Sequence, residues 1–70
     1  MNREKIKNWA DELSAQQKRE LSAKVKMRVS LMMSRLRNRP EDLKLWEVFR
    51  IIDFAGEALT QEDFFHYPPM

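Results

Sequence analysis

The side chains that could do chemistry are few and poorly placed for it. The chain has one histidine, His66, and no cysteine. A thiol nucleophile, a zinc–thiolate site and a His-rich metal site are therefore excluded. Ser14, Ser22, Ser30 and Ser34 have no base within sequence reach, so no Ser–His–Asp arrangement is expected. Carboxylates occur together at Asp11/Glu12, Glu41/Asp42, Asp53/Glu57 and Glu62/Asp63. General acid–base catalysis needs one such group with a raised pKa, and these pairs sit where helix starts and solvated faces put acids. The single glycine, Gly56, cannot build a phosphate-cradling loop. No enzymatic activity, cofactor, metal or small-molecule substrate is expected.

What remains is charge. The net charge of +2 conceals an asymmetry along the chain. From Lys18 to Arg39 there are eight basic residues and one acid, Glu20, or +7; from Pro40 onward there are two basic and seven acidic residues, or −5. On a helix, Lys24, Arg28 and Arg35 share one stripe, and Arg19, Lys26 and Arg37 share another. Ala23, Met27, Ser30, Leu31 and Ser34 lie between them. Arginine and serine donate to phosphate, and a helix so decorated can lie along a duplex groove. The competing expectation is internal: the basic segment pairs with Glu47, Asp53, Glu57, Glu62 and Asp63 inside the fold or a dimer. Surface pairs of that kind contribute about 0 to 1 kcal/mol each.

The elements that must position these residues are helices. The chain is 43% hydrophobic and 34% charged, too apolar for a disordered tail. Tight hairpins need Gly, Asn or Asp at positive φ, and no Asn-Gly or Asp-Gly pair occurs. Good helix formers dominate. The expectation is one all-α domain over 1–70. Ile6, Trp9, Ala10 and Leu13 line one face of a helix over about 3–12, capped by Asn2. Ser14-Ala15-Gln16-Gln17 fits a capping box and opens a second helix over about 15–38. There Leu21, Val25, Val29, Met32, Met33 and Leu36 fall in one arc. A helix-turn-helix over Leu21–Leu36 would put Leu21, Val25, Met27 and Met32 in core positions. Lys26 and Arg28, however, stand where a tight turn wants glycine or a small polar residue, and the apolar period runs through unbroken. One continuous helix is therefore expected. Pro40 ends it and begins a third helix over about 41–59. Thr60-Gln61-Glu62-Asp63 caps a short turn over 61–66, and Pro68-Pro69 leave a tail at 67–70.

The third helix is apolar nearly all round. Leu45, Val48, Phe49, Ile51, Ile52, Ala55 and Leu59 form one broad face, with Leu43, Trp46 and Phe54 opposite. Seventy residues without a disulfide offer limited cover for so much apolar surface. A hairpin of the second and third helices completed by homodimerisation follows; a monomeric bundle with Phe64, Phe65 and Tyr67 folded over Trp46 is the alternative. A second apolar strip, Ala23, Met27 and Leu31 with Ser34 beside it, forms the expected seam or docking strip. Trp46 and Arg50, with Phe54, are the expected anchors, since Trp and Arg are over-represented at binding hot spots. The function this suggests is a non-enzymatic binding protein (inhibitor, adaptor or accessory subunit) acting on a larger protein target. The alternative is a nucleic-acid-binding regulator using Arg19, Lys24, Lys26, Arg28, Arg35 and Arg37.

No run approaches the roughly 18 apolar residues of a membrane span, and the N-terminal residues lack the apolar stretch of a signal peptide. A cytoplasmic protein with no membrane partner is expected. The run Pro40-Glu41-Asp42-Leu43-Lys44-Leu45-Trp46, with Tyr67-Pro68-Pro69, resembles the theta subunit of bacterial DNA polymerase III, a small helical protein that binds the proofreading subunit. The likeness covers about a tenth of the chain. The stretch between the long helix and Pro40 is too short for that family's middle helix, so the resemblance is not extended to the rest.

Overall fold

Local capping chemistry starts the first two helices. The computed structural model describes residues 1–65. Helix α1 spans Arg3–Asp11, and the Asn2 side chain accepts from the Lys5 N–H at 3.2 Å. Helix α2 spans Ala15–Val25 and opens on a reciprocal pair. The Gln17 N–H donates to Ser14 Oγ at 3.1 Å, and the Ser14 N–H donates to Gln17 Oε1 at 2.9 Å. Two backbone donors that a helix start leaves without partners are thus satisfied.

The expected continuous helix over 15–38 is not what forms. The chain breaks at Lys26, and helix α3 spans Val29–Asn38. Lys26 adopts the left-handed conformation, φ 55° and ψ 42°, and the Met27 N–H returns to the Ser22 carbonyl at 3.2 Å. This is the six-to-one bond of a Schellman ending, with lysine where glycine usually stands. The Ser22 hydroxyl reinforces it by donating to the Met27 carbonyl, and Met27 packs on the core, as the residue after such an ending commonly does. Left-handed backbone costs a non-glycine residue about 1–2 kcal/mol. The bend nonetheless wins. A straight helix holds Leu21 and Leu36 about 22 Å apart along its axis. The bent chain brings Leu21, Val25, Met32 and Leu36 into one core with no exposure. Each such side chain contributes about 1.5–3 kcal/mol when buried.

The expected third helix is likewise divided. Pro40–Asp42 form one turn of 3₁₀ helix, and Leu43 and Lys44 are extended. Helix α4 then spans Leu45–Ala55, its start capped by the Glu47 carboxylate, which accepts from the Lys44 N–H at 2.7 Å. It stops at Ala55 rather than Leu59 because Gly56 turns to φ 66°. A further 3₁₀ turn covers Gly56–Ala58, and helix α5 spans Gln61–Phe64. His66 and the tail at 67–70, including Tyr67, lie outside the described residues.

Each of these α-helices supplies the core, which joins Ile6 and Ala10 to Leu21, Val25, Met32, Leu36, Leu43, Val48, Ile51, Leu59 and Phe64. Among the described residues there is no strand, and no helix is long and apolar enough to cross a membrane. The face of α4 turned inward differs from the expected one. Glu47, Val48 and Ile51 are buried, Leu43 just before the helix is buried, and Phe54 packs on the core. Leu45, at 58% exposure, and Phe49, at 43%, look outward instead.

The two ends of the described chain are tied together. The Asn2 N–H donates to the Asp63 carbonyl at 2.7 Å, and the Lys5 ammonium lies 3.0 Å from the Asp63 carboxylate. Burial alone would raise the Asp63 carboxyl. The Thr60 N–H, 2.8 Å away, and the Lys5 ammonium outweigh it and hold the group below the ordinary aspartate value.

Candidate nucleic-acid interface

The break at Lys26 turns α2 and α3 into a helix-turn-helix, and it concentrates charge at the turn. Lys24, Lys26 and Arg28 fall within five residues and are all exposed. Arg28 is the N-cap residue of α3, yet no side chain caps that helix start. The N–H groups of its first turn and the positive end of the helix dipole therefore add to the three cations. On one straight helix these basic residues would form two stripes. The turn instead puts Arg28 at the N-cap of α3 and Lys26 two residues before it, while Lys24, in the last turn of α2, lines a cleft with Arg50 and Asp53.

Beyond the turn, α3 presents two adjoining rows. Arg28, Leu31 and Arg35 recur at i, i+3 and i+7, and Ser30, Ser34 and Arg37 at i, i+4 and i+7. The Ser30, Ser34 and Arg37 row lies opposite Met32 and Leu36, which are buried, whereas Arg28 and Arg35 border that buried face. Ser30, Arg37 and Asn38 are exposed, whereas Leu31, Ser34 and Arg35 are half-buried. The Arg35 Nε is sealed from solvent and has no acceptor among the described residues. A buried donor left in that state costs about 1–3 kcal/mol. Arg19 is exposed on α2.

The ion pairs bear on the expectation that the basic segment is neutralised within the fold. Those among the described residues are Arg3–Glu41 at 2.7 Å, Lys5–Asp63 at 3.0 Å, Lys7–Asp11 at 3.4 Å, Arg37–Asp11 at 2.9 Å and Arg39–Asp42 at 3.4 Å. None of them joins a basic residue between Lys18 and Arg35 to an acid of α4 or α5. Internal neutralisation takes Arg37, Arg39 and the N-terminal cations. It leaves Lys18, Arg19, Lys24, Lys26, Arg28 and Arg35 without a carboxylate within 4 Å among the described residues.

Arg50 positions the turn. Its guanidinium donates to the Lys24 carbonyl at 2.8 Å, at the C-terminal end of α2, where a cation complements the helix dipole. The same group lies 5.4 Å from the centre of the Trp46 ring, in cation–π range. The predicted anchor pair Trp46 and Arg50 is thus brought together, and Arg50 already serves α2. The rest of the predicted apolar surface is dispersed. Ala23 is exposed on α2, Met27 is half-buried in the turn against the core, and Leu31 and Ser34 are half-buried on α3. Phe54 is half-buried against the core. Sequence reasoning did not single out Ser22, whose hydroxyl bridges the turn, or Leu45 and Phe49, the most exposed large apolar side chains of α4.

No family model matches the chain, and no curated protein or solved structure matches it either.

Proposed function

We propose that this protein binds duplex DNA through the helix-turn-helix formed by α2 and α3, without catalysis. A single observation carries the reading: α3 starts without a side-chain cap at Arg28, two residues after Lys26 and four after Lys24, and none of the three has a carboxylate within 4 Å among the described residues. An α-helix with its side chains is about 10–12 Å across and fits the major groove, about 12 Å wide. The second helix of such a motif enters that groove with its N-terminal residues toward the bases. Here those residues are Arg28, Ser30, Leu31 and Ser34. Arg28 supplies a bidentate donor suited to guanine, the serines donate to bases or phosphates, and Leu31 offers an apolar contact for a thymine methyl group. Lys24, Lys26 and Arg19 hold the backbone, and a phosphate oxygen offers an acceptor to the Arg35 guanidinium. The broader expectation of a binding protein directed at a larger protein target rests on Ala23, Met27, Leu31, Ser34, Trp46, Arg50 and Phe54, of which Leu31 and Ser34 also lie on the α3 surface used here.

The test is fluorescence anisotropy with a labelled duplex of mixed sequence over a range of salt concentrations. Four phosphates contacted by cations give a slope of log affinity against log salt of about −3 to −4. Arg28→Glu combined with Lys26→Glu should remove binding while leaving the helical circular dichroism intact. Absence of binding at low salt, or affinity independent of salt, overturns the proposal.

A further inference from the structure

The cleft between the end of α2 and α4 brings together two cations and an acid that no ion pair joins. Lys24, Arg50 and Asp53 line it, it holds about 170 Å³, and all three residues are exposed. Neither Lys24 nor Arg50 comes within 4 Å of the Asp53 carboxylate, or of any other carboxylate among the described residues. For Arg50 the reason is on view. Its guanidinium donates to the Lys24 carbonyl at 2.8 Å and lies 5.4 Å from the centre of the Trp46 ring. A planar guanidinium can meet a carbonyl along its edge while an aromatic ring lies against its face. Arg50 is therefore held by two groups, neither of them an acid.

Lys24 sits where a lysine is ordinarily drawn inward. It belongs to the last turn of α2. The final carbonyls of a helix carry the negative end of its dipole, about half an elementary charge, and a lysine in that turn tends to bend back onto them. Asp53 adds a full negative charge in the same cleft. Both pull the Lys24 ammonium away from a phosphate outside. Arg50 counters both. It occupies the Lys24 carbonyl as a donor from another helix, and its own charge, kept in the cleft by Trp46, offsets that of Asp53.

We infer that Arg50 is a positioning residue for DNA binding: by taking up the α2 carbonyl and balancing Asp53, it leaves the Lys24 ammonium to the phosphate backbone. The inference rests on the DNA-binding function proposed for α2 and α3, and it gives Arg50 no contact with DNA of its own. Trp46 is then the plate that keeps the guanidinium in place.

A double-mutant cycle read by fluorescence anisotropy, with the mixed-sequence duplex and the same salt series, tests this. Lys24→Ala should weaken binding and make the salt slope shallower by about 0.9, the loss of one phosphate contact. Arg50→Ala should make the slope shallower by a similar amount. The two together should bind within about twofold of Lys24→Ala alone, because Arg50 acts through Lys24. Asp53→Asn should recover more affinity in the Arg50→Ala chain than it adds to the unsubstituted one, since only there is Lys24 free to turn to the acid. If Arg50 met a phosphate itself, the two alanine losses would add and the slope would fall by about 1.8; that result overturns the inference. Equal gains from Asp53→Asn in both chains, or an Arg50→Ala chain that binds like the unsubstituted one, also overturn it. Helical circular dichroism and the melting midpoint of each variant are recorded first. Where Arg50→Ala loses helix, Arg50→Met, which keeps an unbranched apolar stem beside Trp46, takes its place in the cycle. An unsubstituted chain that fails to bind at low salt overturns the DNA-binding function together with this inference, whereas additive losses in a chain that does bind overturn the role of Arg50 alone.

Discussion

Replacing Lys26 by glycine distinguishes a bent α2–α3 from a straight helix by the sign of its effect. Lys26 has φ 55° and ψ 42°, a conformation that costs a side-chain-bearing residue about 1–2 kcal/mol. Glycine removes that cost but adds unfolded-chain entropy of about 0.5–1 kcal/mol. The net expected gain is about 0.5–1 kcal/mol, a rise in melting midpoint of roughly 2–8 °C for a domain of this size. In an uninterrupted helix the same change would destabilise by nearly 1 kcal/mol. Ser22→Ala gives the complementary reading. The bent chain loses the hydroxyl donation to the Met27 carbonyl, for about 0.5–1.5 kcal/mol, whereas a straight helix would gain a few tenths from alanine. Thermal unfolding followed by circular dichroism, at one pH and one protein concentration, measures both. A fall for Lys26→Gly together with a rise for Ser22→Ala would refute the turn and the surface built on it.

Three further outcomes follow from the packing and the charges. The Asp63 carboxyl titrates below its ordinary value when folded. Its stabilisation is therefore present above the unfolded value near pH 4 and is lost as the pH falls through the lower folded value. Asp63→Asn should flatten this part of the acid limb in a urea-unfolding series. Gly56→Ala meets no steric obstruction but is forced to hold φ 66°; a loss of about 1–2 kcal/mol is expected in the urea midpoint. Ile51→Ala empties a fully buried site at the centre of α4 and should cost about 2–5 kcal/mol, enough to leave much of the chain unfolded at 25 °C by the same measurement.

The all-helical class and the helix starts were legible because each rests on local chemistry. Asn2 and the Ser14–Gln17 pair carry their partners within three residues. The break at Lys26 was illegible for two reasons. The residue in the left-handed position is a lysine, and the three-residue turn preserves the apolar spacing from Val25 to Val29 and Met32, so periodicity is the same for either arrangement. Ser22 and Met27 carried the signal, a hydroxyl and an apolar residue at the two ends of a Schellman ending. The end of α4 was legible in Gly56 alone, against a run of helix formers that pointed on to Leu59. The inward face of α4 was misread because nearly every side of it is apolar. The side that is buried depends on where Arg50 meets α2, a contact spanning 26 residues of sequence that no local pattern reports. The basic residues of the candidate interface were legible by type and number, but the place of Arg28 at a helix start was not.

The clasp between Asn2 and Asp63 joins positions sixty-one residues apart. First and last helices usually open ahead of the interior. Here neither can let go without stripping the other of a hydrogen bond, so their amides should exchange with deuterium in step, and the Asn2 N–H should be far slower than a second residue ordinarily is. A chain this small thereby closes on itself like a buckled strap, and its melting should be all-or-none rather than a peeling from the ends.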